Sequence, residues 1–225
     1  MISTRMRRLA AGLAATLVLA IWLGHREAGR NEGVMSLPPA CTSDCAAPFG
    51  AELGTTPAGL IAYSNCRPDC VLPVPNRWEG TYTGIRWQCV EMARRWLIAR
   101  RGLTFGDVNL AVDIWDHIDH YSDVETGETF PVESILNGAE RPPAVGNLLI
   151  YAKALEGTGH VAVVTDLALA PGETSGSIEV AEQNYANTPW ADDHARRIPL
   201  LAHDGRWWLL DPYLIGWKRL RRPAD

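Results

Sequence analysis

Five cysteines and six histidines are the residues through which this chain could do nucleophilic chemistry, and spacing divides the cysteines into two groups. Cys41 with Cys45, and Cys66 with Cys70, form two equally spaced pairs, while Cys89 stands alone. Cys89 lies in Gly84-Ile85-Arg86-Trp87-Gln88-Cys89-Val90-Glu91-Met92-Ala93-Arg94-Arg95-Trp96-Leu97, where a glycine-bearing turn runs into a strongly helical stretch. A helix start carries partial positive charge and unpaired N–H groups. Such a site favours the thiolate, the nucleophilic form. The same N–H groups suit an oxyanion formed when a thiolate attacks a carbonyl. The plainer alternative is a small buried apolar residue, a common use of free cysteine.

A base is the next requirement. His160 follows Gly157-Thr158-Gly159 and opens the β-branched run Val161-Ala162-Val163-Val164, which reads as a short buried strand. A third group follows from the next strand, Ser177-Ile178-Glu179-Val180-Ala181-Glu182-Gln183-Asn184, after the turn Pro171-Gly172-Glu173-Thr174-Ser175-Gly176. A hairpin folded there sets His160 opposite the region from about Glu182 onward, so Glu182, Gln183 or Asn184 could hold the ring. Nucleophile, base and orienter would then be assembled.

The elements that must position these groups are legible in outline. A helix is expected from about Gln88 to Arg101, stopped by Gly102. Cys89, Met92, Ala93, Trp96 and Arg100 follow its three-four spacing, and Glu91 and Arg95 stand in the favourable order for an ion pair. A second helix is expected over about Leu110 to Tyr121, with strands near 147–152, 160–169, 177–184, 196–201, 206–210 and 215–219. Helices first and strands afterward imply an α+β fold, the N-terminal helices packed on an antiparallel sheet. On the second helix Asp113, His117 and His120 would share a face, a pattern more often solvated than metal-binding; no metal or other cofactor is expected.

The segments Trp87–Arg95, Gly159–Val164 and Val180–Asn184 resemble the CHAP (cysteine, histidine-dependent amidohydrolase/peptidase) superfamily. They look most like the amidase domains of the glutathionylspermidine and trypanothione synthetase enzymes. Ile61–Asn65, Pro142–Ile150 and Ile215–Trp217 match as well, so the resemblance spans roughly Phe49 to Leu220, and a domain of about 49–221 is expected. It implies a papain-like fold, Cys89 as nucleophile, His160 as general base and then acid, and Glu182 as orienter. It also implies a substrate contact for Arg94, toward a carboxylate end, with Gln88 and Asn184 beside the substrate. The relatives carry an ATP-dependent ligase domain for which 225 residues leave no room, so synthetase activity is not expected. The implied substrate is a glutathionylspermidine-like amide or, as for other CHAP enzymes, a peptidoglycan peptide. The alternative is a non-catalytic envelope domain that binds peptide or glycan, against which the presence of both Cys89 and His160 argues.

The N-terminus carries Arg5, Arg7 and Arg8 before an uncharged run from Leu9 to Leu23. That is the pattern of an export signal over residues 1–25, and the run is short of the roughly 20 residues of a comfortable membrane span. A cleaved signal and an uncleaved anchor are both open, and either sends the following domain across the membrane, to a periplasmic or extracellular location. Residues 26–48 read as a linker, tied down in part by its cysteines. Four paired cysteines and one odd thiol fit two disulfides and a free nucleophile, with a four-thiolate zinc site as the competing reading. The net charge of −5 offers no reason to expect nucleic acid. Oligomeric state is not legible.

Overall fold

The computed structural model describes residues 36–221. Residues 1–25, the expected export signal, and residues 26–35 of the expected linker lie outside the described residues. Among the described residues no helix is long and apolar enough to cross a membrane.

Two small hairpins come first: β1 (Glu52–Thr55) with β2 (Ile61–Tyr63), and β3 (Pro75–Trp78) with β4 (Thr81–Ile85). The helix α1 (Cys89–Arg101) follows. Gln88 is its extended N-cap, and Gly102, left-handed at φ 65°, ends it by donating its N–H to Ile98 O. Glu91 lies in the first turn and Arg100 and Arg101 in the last, each sign at the end the helix dipole favours. The other strands are β5 (Leu103–Thr104), β6 (His120–Asp123), β7 (Thr129–Leu136), β8 (Leu148–Tyr151), β9 (His160–Ala168), β10 (Ser175–Ala181), β11 (Arg196–His203), β12 (Arg206–Leu209) and β13 (Leu214–Leu220). They form one antiparallel sheet in the order β12-β11-β10-β9-β8-β13-β7-β6-β5.

Both faces of the central strands are covered, which is why β8 reads Leu-Leu-Ile-Tyr without polar alternation. Leu148 and Ile150, with Val161 and Val163, face Ala93, Trp96 and Leu97 of α1. Leu149, Ala162, Val164, Ile178, Val180, Ile198, Leu200 and Trp217 form a second core on the other face. The sheet closes around that second core. Past β7, the Asn137 side chain exchanges hydrogen bonds with the Leu209 backbone at 2.9 Å each, and Gly138 N donates to Trp207 O. The edge strand β12 thereby meets the segment past β7, and seven strands curl into a barrel that covers the β12 edge, with β6 and β5 continuing from β7. Gly138 is required at this seam, because a Cβ there would lie 2.6 Å from the Trp208 ring. Each fully buried aliphatic side chain of these cores contributes about 1.5–3 kcal/mol by leaving water.

Two expectations are corrected. The long second helix is replaced by a 3-10 turn, Ala111–Asp113, and a single turn α2 (Ile114–His117). Asp113 Oδ2 accepts from Leu110 N at 2.9 Å, a local bond that competes with a longer helix. Ile118 then turns extended, and β6 pairs Tyr121 with Phe130. Ile114, Ile118 and Tyr121 still reach the core, so tertiary pairing satisfies the apolar pattern that also suits a helix. Second, helices do not precede the strands: seven described strands, β1 to β7, lie outside the expected set, and α1 is the one long helix among the described residues. The architecture is one helix on a mostly antiparallel sheet. The four paired cysteines form the two expected disulfides, Cys41–Cys70 and Cys45–Cys66, and not the competing four-thiolate site. The two cross-links are nested and fasten residues 41–45, the end of the expected linker, to the body of the domain.

Candidate active site

Cys89 opens α1, so its own N–H lacks an intrahelical acceptor. It is 7% exposed, at the floor of a cleft of about 510 Å³ that Tyr82, Gly84, Asp107, Glu156, His160 and other residues line. β4 runs against the helix start at Gly84, where φ is +140° and a Cβ would lie 3.1 Å from Glu91 Cα. A side chain there would push strand and helix apart, so this glycine sets the depth of the cleft. Gly159 does the same on the opposite wall: its Cβ would meet Tyr151 O and Val112.

His160 begins β9, 1% exposed and paired with Tyr151 of β8, three residues before the Val163 that pairs with Ala181 at the end of β10. Its ring lies beside the Cys89 thiol, close enough for the two charges to interact, and its Nε2 lies 2.9 Å from Glu182 Oε2. Burial alone would push the imidazolium down. The bonds and charges of Cys89 and then Glu182 outweigh it and raise His160 to about 10. For Glu182, one residue past β10 and 3% exposed, burial pushes the carboxyl up, and His160 and Arg196 together hold it below the ordinary carboxylate range. Thiol, imidazole and carboxylate are thus neighbours in that order, as thiolate–imidazolium chemistry requires.

Of the three groups the sequence offered as orienter, Glu182 meets the ring. Gln183 turns to the helix start, where its Nε2 donates to Gln88 O at 2.9 Å and to Glu91 Oε2 at 2.6 Å. Asn184 donates to Gln88 Oε1 at 2.8 Å and accepts from Asn65 Nδ2 at 3.0 Å, while Gln88 Nε2 donates to Cys70 O. Gln88 and Asn184 therefore brace the helix start against the disulfide-bonded segment. Arg94 borders the cleft, but its guanidinium donates to Phe105, Thr83 and Gly106 carbonyls and pairs with Asp107 at 2.9 Å. It pins the loop after β5 beneath the cleft wall. Burial lowers its pKa, with Asp107 opposing.

Several site residues escaped sequence reasoning. Arg196, at the start of β11, donates from Nε to Glu182 Oε1 at 2.6 Å. Tyr151 and Tyr185 flank the His160 ring, with centroids 5.6 and 5.2 Å away. Glu156 lines the cleft beside His160, and among the described residues no side-chain partner holds its carboxylate. Burial raises its pKa, with His160 opposing. The one available signal was a charged Arg196 heading the apolar run Ile198-Pro199-Leu200. Asp113, His117 and His120 do not gather into a metal-like group. Among the described residues the group with such spacing is Glu179, Asp193 and His194, and there Arg197 already binds Glu179 Oε1 at 2.6 Å.

Comparison with known proteins agrees with this geometry. Residues 80–184 match the family model described as CHAP domain, a span that begins just before β4 and ends at Asn184. Trypanothione synthetase of Crithidia fasciculata is 33% identical over 165 residues, covering 73% of this chain and 24% of that protein. The bifunctional glutathionylspermidine synthetase/amidase of Escherichia coli (strain K12) is 32% identical over 189 residues, covering 76% of this chain and 29% of that protein. The chain thus spans less than a third of the length of these relatives.

Proposed function

We propose that this chain, which carries a CHAP domain, is a cysteine amidohydrolase that acts through an acyl-enzyme on Cys89. The observation that carries the reading is the Cys89–His160–Glu182 line at the floor of an open cleft. Cys89 Sγ, as thiolate beside the His160 imidazolium, attacks the amide carbonyl carbon. The oxyanion that forms meets N–H groups at the start of α1. Collapse breaks the C–N bond, and the imidazolium gives its proton to the departing amine. Neutral His160 then takes a proton from water as the hydroxyl adds to the thioester. Collapse of that second intermediate releases the acid and restores the thiolate–imidazolium pair.

The leaving half of the substrate carries a positive charge in this reading. Among the described residues Glu156 has no side-chain partner, and it sits on the His160 side of the cleft, where the proton is delivered to the amine. A polyamine conjugate of the glutathionylspermidine kind and a peptidoglycan peptide with a diamino acid both satisfy this. The two disulfides fit an oxidising compartment, and with the basic, apolar leader they support export, with either a cleaved signal or a membrane anchor. Arg94 would meet a substrate carboxylate only by sharing the guanidinium that now holds Asp107.

The test is incubation of the purified protein with glutathionylspermidine and, separately, with muropeptides, with released amine followed by mass spectrometry. The parent releases amine from one of them and Cys89→Ala does not. Equal release by the alanine variant refutes the nucleophile. Wild-type KM retained in Glu156→Gln, on the substrate that is cleaved, refutes the cationic leaving group.

A further inference from the structure

We infer that Arg196 is a positioning residue for the site, holding Glu182 as a fixed carboxylate aimed at His160; this rests on the reading of Cys89, His160 and Glu182 as the working groups. The geometry is a fork on a carboxylate. Arg196 Nε lies 2.6 Å from Glu182 Oε1, and Nη2 lies 3.2 Å from Oε2, the oxygen that faces His160 Nε2 at 2.9 Å. Two donors in one plane set the plane of the carboxylate, which a single bond to the ring would leave free to turn.

The guanidinium is itself held. Nη1 donates to Asp211 Oδ2 at 2.9 Å, Nη2 donates to Tyr151 OH at 3.0 Å, and Tyr151 OH donates to Asp211 Oδ2 at 2.7 Å. Its flat face lies over the Tyr185 ring, 4.4 Å from the centroid, and that ring lies against His160. One side chain therefore fixes both the acceptor of the histidine and the aromatic ring that covers it.

Charge gives the arrangement its purpose. Glu182 is almost fully buried, and a buried carboxylate beside an imidazolium can be neutralised by taking the ring's proton. A guanidinium has no proton to give at accessible pH, so it favours the carboxylate without competing for that role. With Arg196 in place the proton stays on the ring, where the departing amine can receive it.

Alkylation of Cys89 by iodoacetamide between about pH 4 and pH 10 tests this without a known substrate, since Cys89 is the free cysteine. A falling rate at low pH marks protonation of the thiolate–imidazolium–carboxylate set. Arg196→Met keeps the apolar stem and loses the charge, and it is expected to move that acid limb upward by about one pH unit. Arg196→Lys keeps the charge without the fork and should move it less. In the Glu182→Gln background Arg196→Met should add almost nothing, because its effect runs through Glu182. The inference is overturned if folded Arg196→Met has the parental acid limb, or if the shift persists undiminished beside Glu182→Gln. Should Arg196→Met fail to fold, Asp211→Asn, which loosens Nη1, replaces it, and an unmoved limb in both Asp211→Asn and Arg196→Lys overturns the inference. A separate control protects the underlying reading: if His160→Ala alkylates with the parental pH profile, the Cys–His pair itself is refuted.

Discussion

Two buried charge clusters flank the start of α1, and they are built differently. In one, Glu91 is fully buried and its two oxygens accept from Asn76, Thr83, Gln183 and two nitrogens of Arg95, while Arg95 Nη1 donates to Ile61 O. The cluster closes on itself and ties the helix to both small hairpins and to Gln183. In the other, Arg196, Glu182 and His160 form a chain of bonds that ends beside the Cys89 thiol at the floor of the cleft. Both hold charge out of water, so burial of an ion pair does not by itself mark a working site. The difference is the end of the chain: one cluster has every charge answered by protein, and the other terminates in a nucleophile facing space for a substrate.

Mutation should separate the two clusters by what is lost. Cys89→Ala should lower hydrolysis by at least about 10³-fold with little change in thermal unfolding, since it removes the nucleophile and only one sulfur from the packing. Steady-state rates and a melting curve on the same sample check it, and a large fall in melting temperature would blur the distinction. Glu91→Ala should do the reverse. Leaving Arg95 buried without its partner costs about 3–5 kcal/mol, or roughly 10 °C in melting temperature for a domain of this size. The alkylation profile of Cys89 in the folded fraction should keep its pH dependence. If Glu91→Ala instead shifts that profile, the two clusters are coupled and the contrast fails.

The pH dependence of stability sharpens the contrast further. His160 is raised from 6.5 to about 10 in the folded protein, so its contribution is complete below about pH 6.5 and is lost as pH rises toward 10. Glu182 is lowered from 4.5, so its contribution is present above that value and is lost as pH falls below it. Urea unfolding from pH 5 to pH 10 should therefore show stability falling on the alkaline side, and His160→Gln should flatten that slope. An unchanged slope in the variant would place its origin elsewhere.

The smallest effect is expected from the cross-links. Cys45→Ser with Cys66→Ser removes the inner of two nested disulfides and should cost about 2–3 kcal/mol, since Cys41–Cys70 still closes the longer loop. Both clusters should survive, with the alkylation profile unmoved. A shifted profile would show that the segment bonded to Gln88 through Cys70 O also sets the nucleophile.

Sequence alone placed Cys89 at a helix start, His160 at the mouth of a buried strand and Glu182 beyond the next turn. These are local matters: a glycine-bearing turn, a three-four apolar spacing, a β-branched run and a hairpin register each act within a few residues. The paired cysteines were legible for the same reason, although which partner each takes depends on how two distant segments are laid together. Only the tertiary structure decided that Leu110 to Tyr121 breaks into a turn and a strand, because β7 supplies hydrogen bonds that compete with a helix for the same apolar residues. It also decided the barrel closure at Asn137 and Gly138, and brought Arg196 and Asp211 to Glu182. Those residues carry no mark of their own, since a charge acquires its task from the carboxylate that the curl of the sheet sets beside it.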